Sequence, residues 1–388
     1  MKRGLQGRWL THRVPTEPFR SFLPDPLPPA PPVALDSGRQ DLLERANRAL
    51  GRLDGVTLLL PDLSLFLYFY VRKEAVLSSQ IEGTQSSLSD LLLFESEEVP
   101  GVPFNDVMEV SNYVAALNYG VSRIRGGAPL TSRLIRDIHA VLMQSGRGSG
   151  MQPGEFRRSQ NWLGGTRPGN ALFVPPPPEE VGPSMTTLEK FLHDVGGRTP
   201  TLLKAAMAHV QFETIHPFLD GNGRVGRLLI PPLLCYEKAL AEPLLYLSLY
   251  LKQNRAAYYE LLQRVRTEGE WEEWIDFFLD GVRATADQAA ESARQIVQLF
   301  AADHLRIEDS RRASASLLRL HYLLQRRPLL SIPIAAEQLG VSRPTASASL
   351  SHLVSLGLVS ERSGRKRDRL YAYDRYLALL EEGTERQT

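Results

Sequence analysis

One run constrains this chain more than any other: His216-Pro217-Phe218-Leu219-Asp220-Gly221-Asn222-Gly223-Arg224-Val225-Gly226-Arg227. Thr201 to Thr214 reads as a helix entering it. Arg224 to Leu234 reads as an apolar helix leaving it, kinked by Pro231 and Pro232. The run is therefore a tight turn between two helices, and Gly221, Asn222 and Gly223 supply the tolerance for unusual backbone angles. A helix that starts here turns its free N–H groups and positive dipole end toward an anion. Arg224 and Arg227 are three apart and share a helix face, and their guanidinium forks suit phosphate oxygens. Asp220 stands where a carboxylate holds Mg²⁺ while phosphates supply other ligands. His216 precedes the turn as a base for a hydroxyl near neutral pH. Together these groups suit a metal–nucleotide and an attacking hydroxyl. The plainer alternative is a helix junction with a solvated charge cluster, which an isolated Gly-Asn-Gly would suit better than the whole run. No G-x-x-x-x-G-K-[ST] occurs, so P-loop chemistry is not expected.

At these residues the chain resembles the Fic family, whose signature is H-x-F-x-[DE]-G-N-G-R-x-x-R, and every fixed position matches. The resemblance implies protein adenylylation, the transfer of AMP from ATP to a Ser, Thr or Tyr hydroxyl with release of pyrophosphate. It makes His216 the base and Asp220 the Mg²⁺ ligand. Gly221, Asn222 and Gly223 cradle the α- and β-phosphates, Arg224 supports the β-phosphate and Arg227 holds the γ-phosphate. Val225 and Gly226 fall within the same nucleotide-binding stretch. Doc-like relatives, which phosphorylate, carry Lys where this chain has Gly223, so AMP transfer is the expected subclass.

A second segment, Ser78-Ser79-Gln80-Ile81-Glu82-Gly83, fits the family's inhibitory pattern [ST]-x-x-x-E-[GN], here upstream of the main motif. The resemblance implies that Glu82, with Ser78 and Gly83, blocks productive nucleotide binding. A carboxylate on Arg227 would take the guanidinium from a γ-phosphate and repel that phosphate, and such a charge-assisted pair is strong. A solvated helical Glu is the bland alternative.

Length and composition bound the rest. At 388 residues the chain has room for two or three domains. Hydrophobic residues at 43% and charged residues at 23% describe an ordinary globular protein, and a net charge of +1 implies no whole-molecule attraction to nucleic acid or membrane. The single cysteine, Cys235, cannot form an internal disulfide and reads as a core residue compatible with a reducing compartment. No signal core follows Lys2 and Arg3. The apolar stretch Val56 to Val71 is interrupted by Pro61 and Asp62. A cytoplasmic protein with no membrane span is the expectation.

The fold class expected is mainly α: a helical Fic fold with a small β-hairpin flap, followed by a C-terminal winged helix-turn-helix domain. The domains run 1–104, a helical Fic N-terminal domain with the inhibitory helix; 105–284, the catalytic core; 285–310, a helical connector; and 311–388, the winged helix. Within these, residues 14–35 form a proline-rich linker or strap. Helices are expected over about 41–53, 63–79, 90–95, 107–124 and 131–143. Ser145 to Gly150 reads as a flexible loop. Short β-prone pieces between Gly and Pro clusters around 161–176 suggest a hairpin. In the family a flap lies here, so Leu172, Phe173 and Val174 are expected to dock the target segment. His209 reads as a packing or hydrogen-bonded histidine, with no acidic partner at zinc spacing. Tyr258 and Tyr259 resemble a pair lining the adenine site, but adjacent helical side chains diverge, so one stacks and the other packs.

At the C-terminus, helix, turn, helix and two strands form a winged pattern with a recognition helix over 346–356. Arg343, Thr345, Arg365, Lys366 and Arg367 are its candidate DNA contacts, and protein docking or dimerisation are equal alternatives. The expected partners are thus ATP with Mg²⁺, a target protein carrying a hydroxyl or the chain itself, with a homodimer and DNA left open. Two other functions stay open: a nucleotide-sensing DNA-binding regulator, and removal of AMP by the same site. An intact His216 favours the transferase.

Overall fold

Every residue from Leu202 to Ile215 is buried, the pattern of a helix at the centre of a domain rather than on its surface. The computed structural model describes residues 3–13, 17–56, 63–95, 104–193, 199–310, 314–362, 369–382 and 384. The chain opens with a hairpin, β1 (Gly7–His12) and β2 (Phe19–Pro24), paired from Gly7↔Pro24 to His12↔Phe19. Helices α1 (Ser37–Val56), α2 (Leu63–Ile81), α3 (Leu88–Glu95), α4 (Phe104–Arg125) and α5 (Ser132–Leu142) follow. Next come α6 (Pro178–Leu192), the central α7 (Thr201–Ile215), α8 (Asn222–Leu228), α9 (Ile230–Tyr236), α10 (Ser248–Gln253) and α11 (Arg255–Glu268). A long helix, α12 (Trp271–Glu308), leads to α13 (Ala315–Arg326), β3 (Leu329–Ser331), α14 (Ile332–Leu339), α15 (Arg343–Ser355), β4 (Ser360–Glu361), β5 (Leu370–Ala372) and α16 (Asp374–Glu381).

Helix α7 is wrapped by α6, α8, α9, α11, α12 and β2. Its polar side chains therefore need partners inside the protein. Lys204 pairs with Glu237 at 2.7 Å, Gln211 donates to the Asp25 carbonyl at 2.9 Å, and Thr214 donates to the Val210 carbonyl at 2.7 Å. Trp274 of α12 closes one side, donating its indole N–H to the Ala206 carbonyl at 2.9 Å.

Several expectations change. The proline-rich stretch is a strap: it contains β2, whose Phe22 N–H donates to the Val174 carbonyl at 2.8 Å. The boundary expected at 284/285 falls inside the continuous α12. Its second half is no free connector: Phe300 packs on Tyr376 of α16, and Asp303 accepts the Tyr373 hydroxyl. The helix after the motif is interrupted at Leu229, and Pro231 sits at the head of α9, where a missing N–H loses no bond. The flap is reduced to a single bridge, Leu163↔Phe173.

In the C-terminal module a three-stranded antiparallel sheet is ordered β3-β5-β4. Gly340, at φ 63°, makes the left-handed turn between α14 and α15, and Ser342 caps α15 through the Thr345 N–H. Strand β3 and helix α16 were not expected from sequence. The basic wing residues Arg365, Lys366 and Arg367 lie outside the described residues. No described helix is long and apolar enough to cross a membrane.

The module is tied to α12 at Asp303, which is fully buried. Asp303 accepts the Tyr373 hydroxyl at 2.7 Å and pairs with Arg306 at 3.1 Å and Arg375 at 3.4 Å. Asp303→Ala strands a buried hydroxyl, so a loss of about 2–3 kcal/mol is expected from a lowered urea midpoint. An unchanged midpoint would contradict this anchoring.

Candidate active site

A helix buried to its last turn must find donors for its final carbonyls. Two buried arginines do this for α7. Arg157 donates from Nε to the His216 carbonyl at 2.9 Å and from Nη2 to those of Pro176 at 2.5 Å and Ile215 at 3.4 Å. Arg266 donates to the Glu213 carbonyl at 3.3 Å and to the Thr214 hydroxyl at 3.0 Å. Burial pushes both guanidinium groups down to about 10, and both are cations at the negative end of the helix.

His216 closes α7 in the left-handed region, at φ 50° and ψ 61°, a strained conformation for a residue with a side chain. Its N–H donates to the Phe212 carbonyl at 2.9 Å. Burial pushes the imidazole down to about 3, and the Arg157 and Arg266 cations add to this. Its Nδ1 is buried and has no hydrogen-bond partner among the described residues. The ring is a neutral base.

The turn is stapled by its own amide. Asn222 accepts the Phe218 N–H and donates to the Phe218 carbonyl, both at 2.8 Å. Only its backbone is left for a ligand. Gly221 caps α8 at φ 77°, and the N–H groups of Asn222, Gly223 and Arg224 follow, with no intrahelical carbonyl to meet. Asp220 accepts the Gly221 N–H at 2.6 Å and keeps 43% side-chain exposure. Its other oxygen lies against Gly148, where a Cβ would collide with it. The Ser145–Gly150 loop is thus packed on the site; Asn112 also donates to the Ser145 carbonyl at 3.0 Å.

Sequence reasoning missed His139. Its Nδ1 accepts the Gly154 N–H at 2.9 Å, so the ring proton sits on Nε2 and is donated to the Asp220 carbonyl at 3.0 Å. The ring stacks on Phe218 at 3.7 Å. A histidine on the buried face of an amphipathic helix was the only signal. Arg157, Arg266 and Glu109 were missed too.

The two motif arginines have different partners. Arg224 pairs with Glu109 at 3.1 Å, with side-chain exposures of 4% and 2%. Arg227 donates to Glu82 Oε1 at 2.7 Å, to the Ser78 hydroxyl at 2.9 Å and to the Ser78 carbonyl at 3.0 Å. Glu82 still keeps 36% side-chain exposure. Its Oε1 lies so close to Gly223 that a Cβ there would collide with it. Burial raises the Glu82 carboxyl, but the attraction of Arg227 outweighs it and the net shift is downward. Gly83 makes the turn after Glu82 at φ 99°.

Val225 is buried in the core. The Gly226 carbonyl accepts the Nδ1–H of His209 at 3.1 Å, which leaves His209 Nε2 to accept the Tyr258 hydroxyl at 2.8 Å. Tyr258 is therefore a packing residue, while Tyr259 is 42% exposed. Of the flap residues, Leu172 is 84% exposed but Phe173 and Val174 are buried, because the N-terminal hairpin covers them and Arg266 lies over the Phe173 ring. Arg343 and Thr345 are exposed at the head of α15, far along the chain from this site.

Residues 129–234 match the model of the Fic/DOC family, and residues 40–122 match that of the Fic/DOC family N-terminal. These two stretches are a Fic/DOC domain and a Fic/DOC N-terminal domain. The protein adenylyltransferase Fic of Aedes aegypti is 30% identical over 257 residues, covering 65% of this chain and 48% of the relative. That of Culex quinquefasciatus is 31% identical over 211 residues, 53% of this chain and 39% of the relative. The chain thus spans half or less of the length of these curated relatives. A crystal structure of a Fic family protein from Desulfovibrio desulfuricans G20 superposes with a TM-score of 0.58 at 21% identity, over 89% of this chain and 98% of that one. A Fic-1 structure from C. elegans gives 0.51 at 20% identity, over 66% and 73%. These likenesses carry the Fic fold.

His209, held neutral in the Fic core, gives a pH test. Burial depresses it to about 4, against about 6.5 in an unfolded chain. Between pH 6.5 and 4 the unfolded state takes up a proton that the folded state refuses, so this group's contribution to stability is lost as pH falls. His209→Asn should reduce the slope of unfolding free energy against pH in that window by up to one proton, about 1.4 kcal/mol per pH unit. Urea titrations at several pH values measure it; an unaltered slope would place the ring in a solvated setting.

Proposed function

We propose that this Fic protein transfers AMP from ATP to a protein hydroxyl, on a docked target or on the chain itself, and that Glu82 holds the reaction off. The observation that carries the reading is the assembled turn: a neutral His216 with an unpartnered nitrogen stands beside free N–H groups and two arginines. The relatives' naming as protein adenylyltransferases supports it.

In this reading the acceptor hydroxyl gives its proton to the His216 imidazole as its oxygen bonds to the α-phosphorus. The bond from that phosphorus to the bridging oxygen breaks and pyrophosphate leaves. The N–H groups of Asn222 and Gly223 bind phosphate oxygens, and Arg224 and Arg227 stabilise the leaving charge. Asp220 is the residue that would hold Mg²⁺. Its carboxylate fits, being half-exposed at the mouth of the turn. No described cluster of three or more His, Cys, Asp or Glu side chains could cage a metal, so other ligands would come from phosphates and water. When bound, the cation neutralises phosphate charge. Tyr259 is the better placed of the two tyrosines for adenine, and Leu172 is the flap position open to a target.

Glu82 supports inhibition in two ways. It occupies the Arg227 guanidinium, and its charge lies over Gly223, where a terminal phosphate would have to pass. A cytoplasmic setting, where ATP is available, accompanies this reading.

The test uses α- and γ-labelled ATP in parallel. Glu82→Gly should raise protein labelling from α-labelled ATP by at least about tenfold, equivalent to about 1.4 kcal/mol of barrier. Adding His216→Ala should then lower it by about 10²-fold or more while ATP binding persists. Labelling from γ-labelled ATP would mean phosphoryl transfer. No labelling from either would favour a nucleotide-sensing regulator, for which the exposed Arg343 and Thr345 are the starting DNA contacts.

The depressed His216 sets the pH profile of the Glu82→Gly protein. The base is already deprotonated well below pH 5, so kcat/KM should show no acid limb near 6.5 and vary less than about twofold from pH 5.5 to 7.5. A limb at 6.5 would mean that the ring titrates as if in solvent.

A further inference from the structure

The helix that carries Glu82 is gripped on two faces. Ser78 and Glu82 reach Arg227. Gln80 lies two residues from each, about 200° around the helix, and is turned the other way. It is 3% exposed. Its amide Nε2 donates to the Thr384 carbonyl at 3.0 Å and the Ser86 carbonyl at 2.8 Å, and its Oε1 accepts Lys252 Nζ at 2.7 Å.

Thr384 belongs to the far end of the chain, yet it is 1% exposed. Its N–H and hydroxyl both donate to the Glu381 carbonyl at 2.8 Å, folding it onto the end of α16. Helix α16 packs into the angle between α2 and α3. The Tyr376 ring meets Phe69 of α2 edge-on at 5.5 Å, and Ser89 of α3 donates to Glu381. Through Tyr373 and Asp303 the same module is anchored on α12. The C-terminal module therefore touches the inhibitory helix at both its middle and its end.

We infer that Gln80 is a positioning residue through which the C-terminal module keeps Glu82 on Arg227, so that displacing α16 releases the inhibitory carboxylate. The amide is suited to the task because it can donate to Thr384 and Ser86 and accept from Lys252 at once. The helix end and α16 form one two-state element: whatever favours the displaced module shifts the population toward a free Arg227. This deepens the AMP-transfer reading and rests on it for one of its two readouts.

The experiment uses the full chain in the parent form and as Gln80→Glu and Glu381→Ala, each with and without Glu82→Gly. Gln80→Glu keeps an acceptor for Lys252 but loses the donor to Thr384. Glu381→Ala leaves the inhibitory helix itself untouched and decides the matter if the buried Gln80 variant fails to fold. Amide exchange over 74–84 and labelling from α-labelled ATP are measured together. Both variants should speed exchange at 78–84 by at least about fivefold and raise labelling by a similar factor, and neither should raise labelling further once Glu82 is Gly. Unchanged exchange in the folded variants overturns the inference. So does an equal gain on the Glu82→Gly background, which would mean an effect independent of the inhibitory carboxylate. If Glu82→Gly itself yields no label, the transfer reading fails, and exchange alone decides the positioning.

Discussion

The buried end of α7 is the constraint on which the site depends. A helix enclosed on all sides cannot leave its last carbonyls to water, and here they are met by the guanidinium groups of Arg157 and Arg266. This fixes where the helix stops. It puts His216 into a left-handed conformation and sends the chain into the Pro217–Gly221 turn. Burial keeps the His216 imidazole unprotonated, and the same two cations add to this. Helix termination and the uncharged state of the His216 ring are thus one electrostatic arrangement.

How much of this the sequence shows follows from what kind of partner each residue has. The turn from His216 to Arg227 was legible because its parts are local and their spacing is specific. The pairing of Glu82 with Arg227 spans 145 positions; no periodicity shows it, and it was reached through the resemblance to Fic proteins. Arg157 and Arg266 left no readable trace, and His139 only its place on a buried helix face, because their main partners are backbone carbonyls and N–H groups, which every residue possesses. The boundary at 284/285 failed as well. The helix continues unbroken through the change from aromatic to alanine-rich sequence in α12, and α1 pairs with it on both sides of that change, at Asp276 and Asp287. The flap was expected as a paired hairpin, but the N-terminal hairpin already covers Phe173 and Val174.

Arg224 and Arg227 show how two like residues on one helix face take different roles. Arg224 is locked to a carboxylate as buried as itself, and breaking such a pair leaves an uncompensated charge. Arg227 shares its outer nitrogen with a carboxylate that still has water beside it. Losing Glu82 leaves Arg227 with both Ser78 contacts intact. Two of the three contacts that hold the guanidinium are therefore independent of the carboxylate.

Two further carboxyls, Glu74 and Glu213, feel the same guanidinium, and both are pushed up to about 7 by burial. Below neutral pH they become increasingly protonated and give Arg227 less counter-charge. Glu82, whose carboxyl is shifted downward, is the ionised partner. The ionised Glu82 in turn helps hold Glu213 protonated by like-charge repulsion. Removing Glu82 therefore does more than empty a contact. It takes away one reason for Glu213, whose Oε1 lies against Gly226, to stay neutral.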